Sequence, residues 1–241
     1  MDASFMDHKF NHPEDLNPLA VEAVLFDVGG TLIKPWPSIG HIYAEVAENS
    51  GWKSLDIDRL NEQFNAAWKA KADFHYSPEH WQGIVIESFK GMVSGEDCVE
   101  LFASLYERFE APDVWKVFDD VMPALDDLAS RGFRLGIVSN WDTRLKPLLE
   151  KLKLDGFFEF VSVSCDIGFT KPSPVIFEHT IGKFGLPPER MLHVGDQVDE
   201  DVKGAQDAGL HSLLIDRNAQ SGPGVINQLT ELSQRITEAW S

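Results

Sequence analysis

Cysteine is nearly absent: Cys98 and Cys165 are the only two in 241 residues, far apart and without a Cys-x-x-Cys spacing. That excludes a disulfide framework and a thiolate metal site. Basic residues are scarce too, 21 Lys and Arg against 39 Asp and Glu, for a net charge of −18. A field of that sign repels phosphate backbones and anionic lipid, so neither nucleic acid nor a membrane surface is an expected partner. No apolar run approaches the roughly 18 residues that a spanning helix needs. The opening stretch MDASFMDHKFNHPEDLNP lacks a basic n-region and an apolar h-region, and so does not read as a signal peptide. The expectation is a cytoplasmic protein with a loose N-terminal tail over residues 1–18, in which His8 and His12 are solvated. There is no internal repeat and no low-complexity tract, and nothing sets an oligomeric state.

What is present is hydrophobic patterning in a chain that is 43% apolar, enough to bury a sizeable core. Val21–Val28 (VEAVLFDV) is an apolar, β-branched run ending in Asp-x-Gly-Gly, which predicts a buried strand entering a tight loop. From Pro37 to about Trp115 helical spacing takes over. Leu60, Phe64, Ala67 and Trp68 share one face, Pro78 opens a helix with Trp81, Val85 and Phe89 on a stripe, and Glu96–Phe109 repeats the pattern. After Val117 helices and strands alternate. The spacing predicts helix Val121–Ser130, strand Phe133–Val138, helix Thr143–Leu152, strand Phe160–Val163 and helix Ser173–Phe184. Strand Met191–Gly195, helix Val198–Ala208, strand His211–Ile215 and an amphipathic helix Val225–Ala239 complete it. Such alternation implies an α/β fold with a doubly wound parallel sheet, here over residues 19–36 and 116–241. An all-helical insertion, residues 37–115, splits it after its first strand.

In such a sheet ligands bind beyond the carboxyl ends of the strands, where the strand order reverses. The first strand delivers Asp27 followed by Val28, Gly29, Gly30 and Thr31; the second delivers Ser139 and Asn140. Lys171 lies in the loop before Pro172, and Met191–Gly195 delivers Asp196, with Asp199 and Asp201 just beyond. Singly, each has an ordinary structural explanation: a strand-end Asp caps a helix, Gly-Gly makes a turn, and a loop lysine is solvated. Together, carboxylates, a hydroxyl and an ammonium at adjacent strand ends can bind Mg²⁺ and a phosphoryl group.

These four elements resemble the four motifs of the haloacid-dehalogenase-like (HAD) hydrolase superfamily. Asp27-Val28-Gly29-Gly30-Thr31-Leu32 matches the first motif, Ser139-Asn140 the second, Lys171-Pro172 the third, and Gly195-Asp196 with Asp201 the fourth. The likeness spans roughly Val21 to Arg217, and the helical insertion matches the family's type-1 cap over a Rossmann-like core. Ser139–Leu145 (SNWDTRL) and His193-Val194-Gly195-Asp196, with His211-Ser212 later, look most like the rhythmically-expressed-gene-2-like branch. The resemblance implies that Asp27 is a nucleophile forming an aspartyl-phosphate. Asp27, the Gly29 carbonyl and Asp196 would be Mg²⁺ ligands, with Asp201 on the metal through water or holding Lys171. Ser139 and Lys171 would bind phosphoryl oxygens, with Asn140, Thr31 and the backbone N–H groups of Val28–Gly30 lining the cradle. The substrate would be a small phosphorylated or acidic metabolite.

One position departs from that pattern. Phosphatases of the superfamily carry a second Asp two residues after the nucleophile, and here that residue is Gly29. A general acid–base is worth about 10²–10⁴ in rate, and glycine cannot supply one. Asp142, Asp199 or a cap residue are the available replacements. Four readings follow, in order of preference. They are a Mg²⁺-dependent phosphohydrolase of restricted activity, a non-catalytic phospho-ligand binding protein, a 2-haloacid dehalogenase, and a phosphonate C–P hydrolase. The last needs a cap lysine, for which Lys53, Lys69 and Lys71 are candidates. His75, His80 and Cys98 lack a zinc spacing, and Cys165 is expected to be a small buried residue. Trp36, Trp68, Trp81 and Trp115, in or beside the insertion, are expected to pack its core, with an aromatic lining over the substrate as the alternative.

Overall fold

The structure is a computed structural model that describes residues 20–71 and 74–240, so the tail expected over residues 1–18, with His8 and His12, lies outside the described residues. Strand β1 (Ala23–Phe26) is buried along its whole length. Val24 and Phe26 point into one apolar layer and Ala23 and Leu25 into another. The period-2 alternation of a strand therefore feeds two cores, which is why the run is continuously hydrophobic.

A three-residue strand, β2 (Ile33–Pro35), leads from β1 into four helices. These are α1 (Ile39–Asn49), α2 (Ile57–Ala70), α3 (Pro78–Ser88) and α4 (Gly95–Arg108). Each starts on a side-chain cap, with Ser38, Asp56, Ser77 and Ser94 accepting from the backbone N–H three residues on. Their apolar faces form a cluster of their own around Tyr43, Leu60, Phe89 and Leu101. The chain returns through β3 (Trp115–Val117), which pairs antiparallel with β2.

The remaining chain runs α5 (Val121–Ser130), β4 (Arg134–Ser139), α6 (Leu145–Lys151), β5 (Phe160–Val163), α7 (Ser164–Ile167), α8 (Pro174–Phe184) and β6 (Met191–Gly195). It ends with α9 (Gly204–Asp207), β7 (His211–Ile215), β8 (Val225–Ile226) and α10 (Leu232–Trp240). The sheet order is β5–β4–β1–β6–β7–β8, and every neighbouring pair is parallel. Strand order reverses at β1, so the carboxyl ends of β1, β4 and β6 meet at the crevice where such sheets bind ligands. Residues of α5, α6 and α10 cover one face and those of α8 and α9 the other.

Three features differ from the sequence expectation. The β2–β3 ribbon was not anticipated, because three residues are too few to show a period. The helix expected over Val225–Ala239 is strand, turn and helix instead. Val225 and Ile226 pair with Leu214 and Ile215, and Gln228 and Glu231 form a capping box ahead of α10. The helix expected over Val198–Ala208 opens as a π-helical turn, Val198–Lys203, before α9. Such turns recur at functional sites, and this one carries Asp201 inward. No described helix is long and apolar enough to cross a membrane.

Leu125, on α5, is fully buried against the sheet. Leu125→Ala is expected to lower unfolding stability by about 2–5 kcal/mol, read as a fall in urea midpoint at unchanged slope.

Candidate active site

Asp27 leaves β1 and is 7% exposed. The Ser139 hydroxyl, from the end of β4, donates to Asp27 Oδ1 at 3.0 Å, and Lys171 Nζ reaches the same oxygen at 2.7 Å. Both donors converge on Oδ1, so the carboxylate is oriented, and among the described residues no hydrogen bond reaches Oδ2.

Lys171 is held from behind. Its ammonium also lies 2.5 Å from Asp201 Oδ1, which accepts from His193 Nε2 at 3.0 Å, while Asp201 Oδ2 accepts from the Gln197 N–H at 2.9 Å. Burial lowers the His193 pKa, so the ring is neutral and donates from Nε2 to a carboxylate that can only accept. Gly195 permits this approach: a Cβ there would stand 2.1 Å from Asp201 Cγ. Burial works against the Lys171 ammonium, yet Asp201 and Asp27 outweigh it and raise its pKa. Burial also opposes the Asp201 carboxylate, and Lys171 and His193 outweigh that in turn, holding its pKa below the usual range.

Asn140 clamps the Lys171 peptide from both sides. Its Oδ1 accepts from the Lys171 N–H at 2.7 Å, and its Nδ2 donates to the Lys171 carbonyl at 3.0 Å and to Glu200 Oε2 at 2.9 Å. The Asn140 side chain is thus spent on positioning the lysine rather than on a ligand. Val28 and Thr31, expected in the cradle, are fully buried and do not line the cavity. The Gly30 N–H is likewise committed, donating to the Ile33 carbonyl at 2.8 Å. Gly30 adopts φ +83°, and a Cβ on it would meet the Asp196 carboxylate at 2.5 Å.

Asp196, from the end of β6, completes an acidic group with Asp27 and Asp201 whose oxygens lie within 4.8 Å of one another. Burial, then the charges of Asp27 and Asp201, push the Asp196 pKa up to about 7. Burial likewise raises that of Asp27. Three carboxylates share one ammonium, and Asp196 Oδ1 is buried with no partner. A hard, all-oxygen donor set with excess negative charge and an orphaned carboxylate oxygen fits a divalent cation such as Mg²⁺. Asp27 and Asp196 have oxygens to offer. Asp201 has committed both of its own to Lys171, His193 and Gln197.

Above these residues lies a cavity of about 460 Å³ reaching from Asp27 and Gly29 up between the inserted helices. Three contacts close the helices over it. Trp81 Nε1 donates to Asp142 Oδ2 at 2.9 Å, Arg144 donates to the Tyr106 carbonyl at 2.8 Å, and Lys71 faces Glu200 at 3.6 Å.

Comparison with known proteins establishes the family. Residues 21–209 match the family described as haloacid dehalogenase-like hydrolase. The chain belongs to that family. Mouse haloacid dehalogenase-like hydrolase domain-containing protein 3 is 31% identical, the match covering 82% of each chain. The rhythmically expressed gene 2 protein of Drosophila melanogaster is 28% identical over 80% of this chain and 82% of its own. Among solved structures, a HAD phosphatase from Thermococcus onnurineus is 28% identical with a TM-score of 0.65, covering 90% of this chain and 98% of that one.

Within the HAD frame, the replacements considered for the missing acid are otherwise engaged. Asp142 is buried and ion-paired with Arg144 while accepting from Trp81. Asp199 is exposed, pairs with Lys203 and does not line the cavity. Lys53 and Lys69 are exposed and away from the cavity; Lys71 lines it, paired with Glu200 and lying 3.8 Å over the Trp68 ring. Sequence reasoning missed Tyr76 and Trp141. Tyr76 is 5% exposed in the cavity wall, and burial, with Glu200 and Asp27 nearby, raises its phenol pKa and keeps it protonated. Trp141 Cζ3 stands 3.2 Å from where a Cβ on Gly29 would be. It belongs to the SNWDTRL stretch, which identified a branch without indicating where its ring points.

Proposed function

We propose that the protein is a Mg²⁺-dependent phosphohydrolase acting on a small phosphorylated metabolite through an aspartyl-phosphate on Asp27, with turnover restricted by the glycine at position 29. The observation carrying this reading is the convergence of Ser139 and Lys171 on Asp27 Oδ1. It orients Oδ2 for attack while leaving a hydroxyl and an ammonium beside the phosphoryl group. Attack by a carboxylate on a phosphate dianion brings two anions together, and Lys171, held charged by Asp201, offsets part of that repulsion. Asp27 and Asp196 would hold the Mg²⁺, which when bound supplies the remaining charge compensation. Among the described residues lining the cavity, Asn140 fixes the Lys171 backbone and Asp201 fixes its side chain, so the lysine does not swing toward solvent.

Relatives named for phosphate chemistry support the reading. A glyceraldehyde 3-phosphate phosphatase of Methanothermobacter thermautotrophicus is 38% identical over 99 residues, 41% of this chain and 44% of its own. A dehalogenase reading fares worse: the cavity arginine, Arg144, has its charge taken up by Asp142 and is not free for a substrate carboxylate. The deciding experiment is a screen of purified protein, with and without Mg²⁺, over phosphomonoesters, acyl phosphates, 2-haloacids and phosphonates. Mg²⁺-dependent phosphate release is expected, and turnover of 2-haloacids or phosphonates alone would overturn the proposal.

Asp196→Asn is expected to weaken Mg²⁺ binding at least about tenfold by calorimetry. It removes one of two carboxylates with an uncommitted oxygen. Undiminished Mg²⁺ affinity in the variant would place the ion elsewhere.

A further inference from the structure

We propose that the leaving group taken by this site is a planar aromatic alcohol, so that the substrate is an aryl phosphate whose ring lies among the cavity tryptophans and departs as a phenolate. The inference rests on the phosphohydrolase reading and names its substrate class. Three observations converge on it.

The first is the wall. The cavity, about 460 Å³, is within the range that holds small ligands. Trp68, Trp81, Tyr106, Trp115 and Trp141 line it. Each of the five is half-buried rather than sealed, although the helices close over the space, so their rings face the cavity. Trp68 stacks on Trp81 at 5.4 Å and Trp115 packs on Trp141 at 5.3 Å. Phe64, Trp81 and the Lys71 ammonium cover the Trp68 ring and Arg144 lies 3.5 Å over Tyr106, so the flat apolar surface left for a guest is chiefly that of Trp115 and Trp141.

The second is charge. Three cations line the cavity among the described residues, and each is already paired: Lys171 with Asp27 and Asp201, Lys71 with Glu200, Arg144 with Asp142. Beyond the phosphoryl site the described lining offers no uncompensated cation for a second anionic group. A bisphosphate or a phosphorylated carboxylic acid would leave its second charge buried and unpaired, which is strongly unfavourable.

The third is chemical. The Trp141 ring crowds the space into which a side chain on Gly29 would extend, its Cζ3 3.2 Å from the place of a Cβ. Position 29 thus offers no carboxylic acid to protonate an alkoxide, and an aromatic surface stands beside it instead. When Asp27 Oδ2 bonds to phosphorus, the P–O(aryl) bond breaks and its electron pair leaves on the phenolate oxygen, stabilised by the ring. The phenolate then takes a proton from water. Water hydrolyses the aspartyl-phosphate, releasing inorganic phosphate and restoring the carboxylate. A phenol ionises near pH 10, so its departure needs little assistance.

The test uses the wild-type protein in Mg²⁺ with four substrates that separate ring from leaving group. 1-Naphthyl phosphate has both properties, 2-phenylethyl phosphate has a ring on an alkoxide, acetyl phosphate has a good leaving group without a ring, and glycerol 2-phosphate has neither. The naphthyl ester is expected to give the highest kcat/KM. Acetyl phosphate should show a KM at least about tenfold higher, the value of lost ring contacts. Phenylethyl phosphate, which keeps a ring but leaves as an alkoxide, should show a kcat/KM lower by about 10²–10⁴, because the penalty falls on the phosphorylation step. Trp141→Ala is expected to lower the naphthyl-to-acetyl ratio of kcat/KM about tenfold. As a check that needs no variant and no turnover, calorimetry should give benzylphosphonate a Kd about tenfold below that of methylphosphonate. Equal KM values for naphthyl and acetyl phosphates, or equal Kd values for the phosphonates, overturn the inference and leave the phosphohydrolase reading intact. Glycerol phosphate turned over as well as the naphthyl ester also overturns it, and loss of that turnover in Tyr76→Phe would identify Tyr76 as the acid. If all four esters are inert with Mg²⁺ present, the phosphohydrolase reading itself fails.

Discussion

Asp27→Asn is expected to lower turnover on every accepted phosphate by about 10⁴-fold or more, because it removes the nucleophile rather than an assisting group. The geometry makes this a clean substitution. Ser139 and Lys171 both donate to Oδ1, and asparagine can present its carbonyl to the same two donors. Its amide nitrogen then takes the place of Oδ2, where its lone pair is delocalised and does not attack. Lys171 keeps Asp201 as a partner, so no charge is stranded. Burial already raises the Asp27 pKa, which means that the carboxylate is held against its preference. Removing one of three crowded negative charges relieves repulsion, and the thermal midpoint is expected to stay level or rise. Lost turnover with an undiminished midpoint separates chemistry from folding. Wild-type turnover in the variant would sink the covalent route.

Most of the framework around Asp27 was legible because it follows from short-range pattern. The continuous apolar run of β1 needs cover on both faces, and strand ends in an alternating chain must converge at one edge of the sheet. Asp27, Ser139, Lys171 and Asp196 could therefore be placed together before any distance was known. The elements misread are those set by tertiary pairing. Val225 and Ile226 have no period of their own and become a strand only because β7 offers an edge. The ribbon of β2 and β3 forms because the chain leaves and re-enters the core side by side.

Within the site, residue type indicated chemistry, and only packing could assign it. Asn140 beside Ser139 looks like a ligand-binding amide, yet the Lys171 peptide and Glu200 use its donors and acceptor. Asp142 looks like a spare acid, yet Arg144 and Trp81 occupy both of its oxygens. Asp201 had two possible roles, and its committed oxygens point to support of Lys171. Tyr76 carries no sequence signal, since one tyrosine in a helical insertion is indistinguishable from core.

Gly29→Asp is expected to gain little by itself, and more when Trp141 is reduced. Backbone conformation is not the obstacle: the left-handed angle in this loop belongs to Gly30, not Gly29. The obstacle is the indole, whose Cζ3 would stand 3.2 Å from the new Cβ, so the ring must give by a few tenths of an ångström. Trp141 is braced by Trp115, and its backbone N–H donates to the Ser164 hydroxyl. In the single variant the grafted carboxyl is therefore expected to compete with the indole for space beside the leaving group. In Gly29→Asp/Trp141→Ala the space opens, and kcat on 2-phenylethyl phosphate should rise toward the ceiling of about 10²–10⁴ set by general acid catalysis, falling short because no neighbour orients the new acid. Aryl phosphates report the other half of the cycle. With no base to activate water, the wild type should release about one equivalent of naphthol rapidly and then slow to the rate of aspartyl-phosphate hydrolysis. The double variant should shorten that slow phase and leave the burst amplitude at one equivalent. A correctly folded double variant with no gain on the alkyl ester and an unaltered slow phase would mean that position 29 does not limit either step.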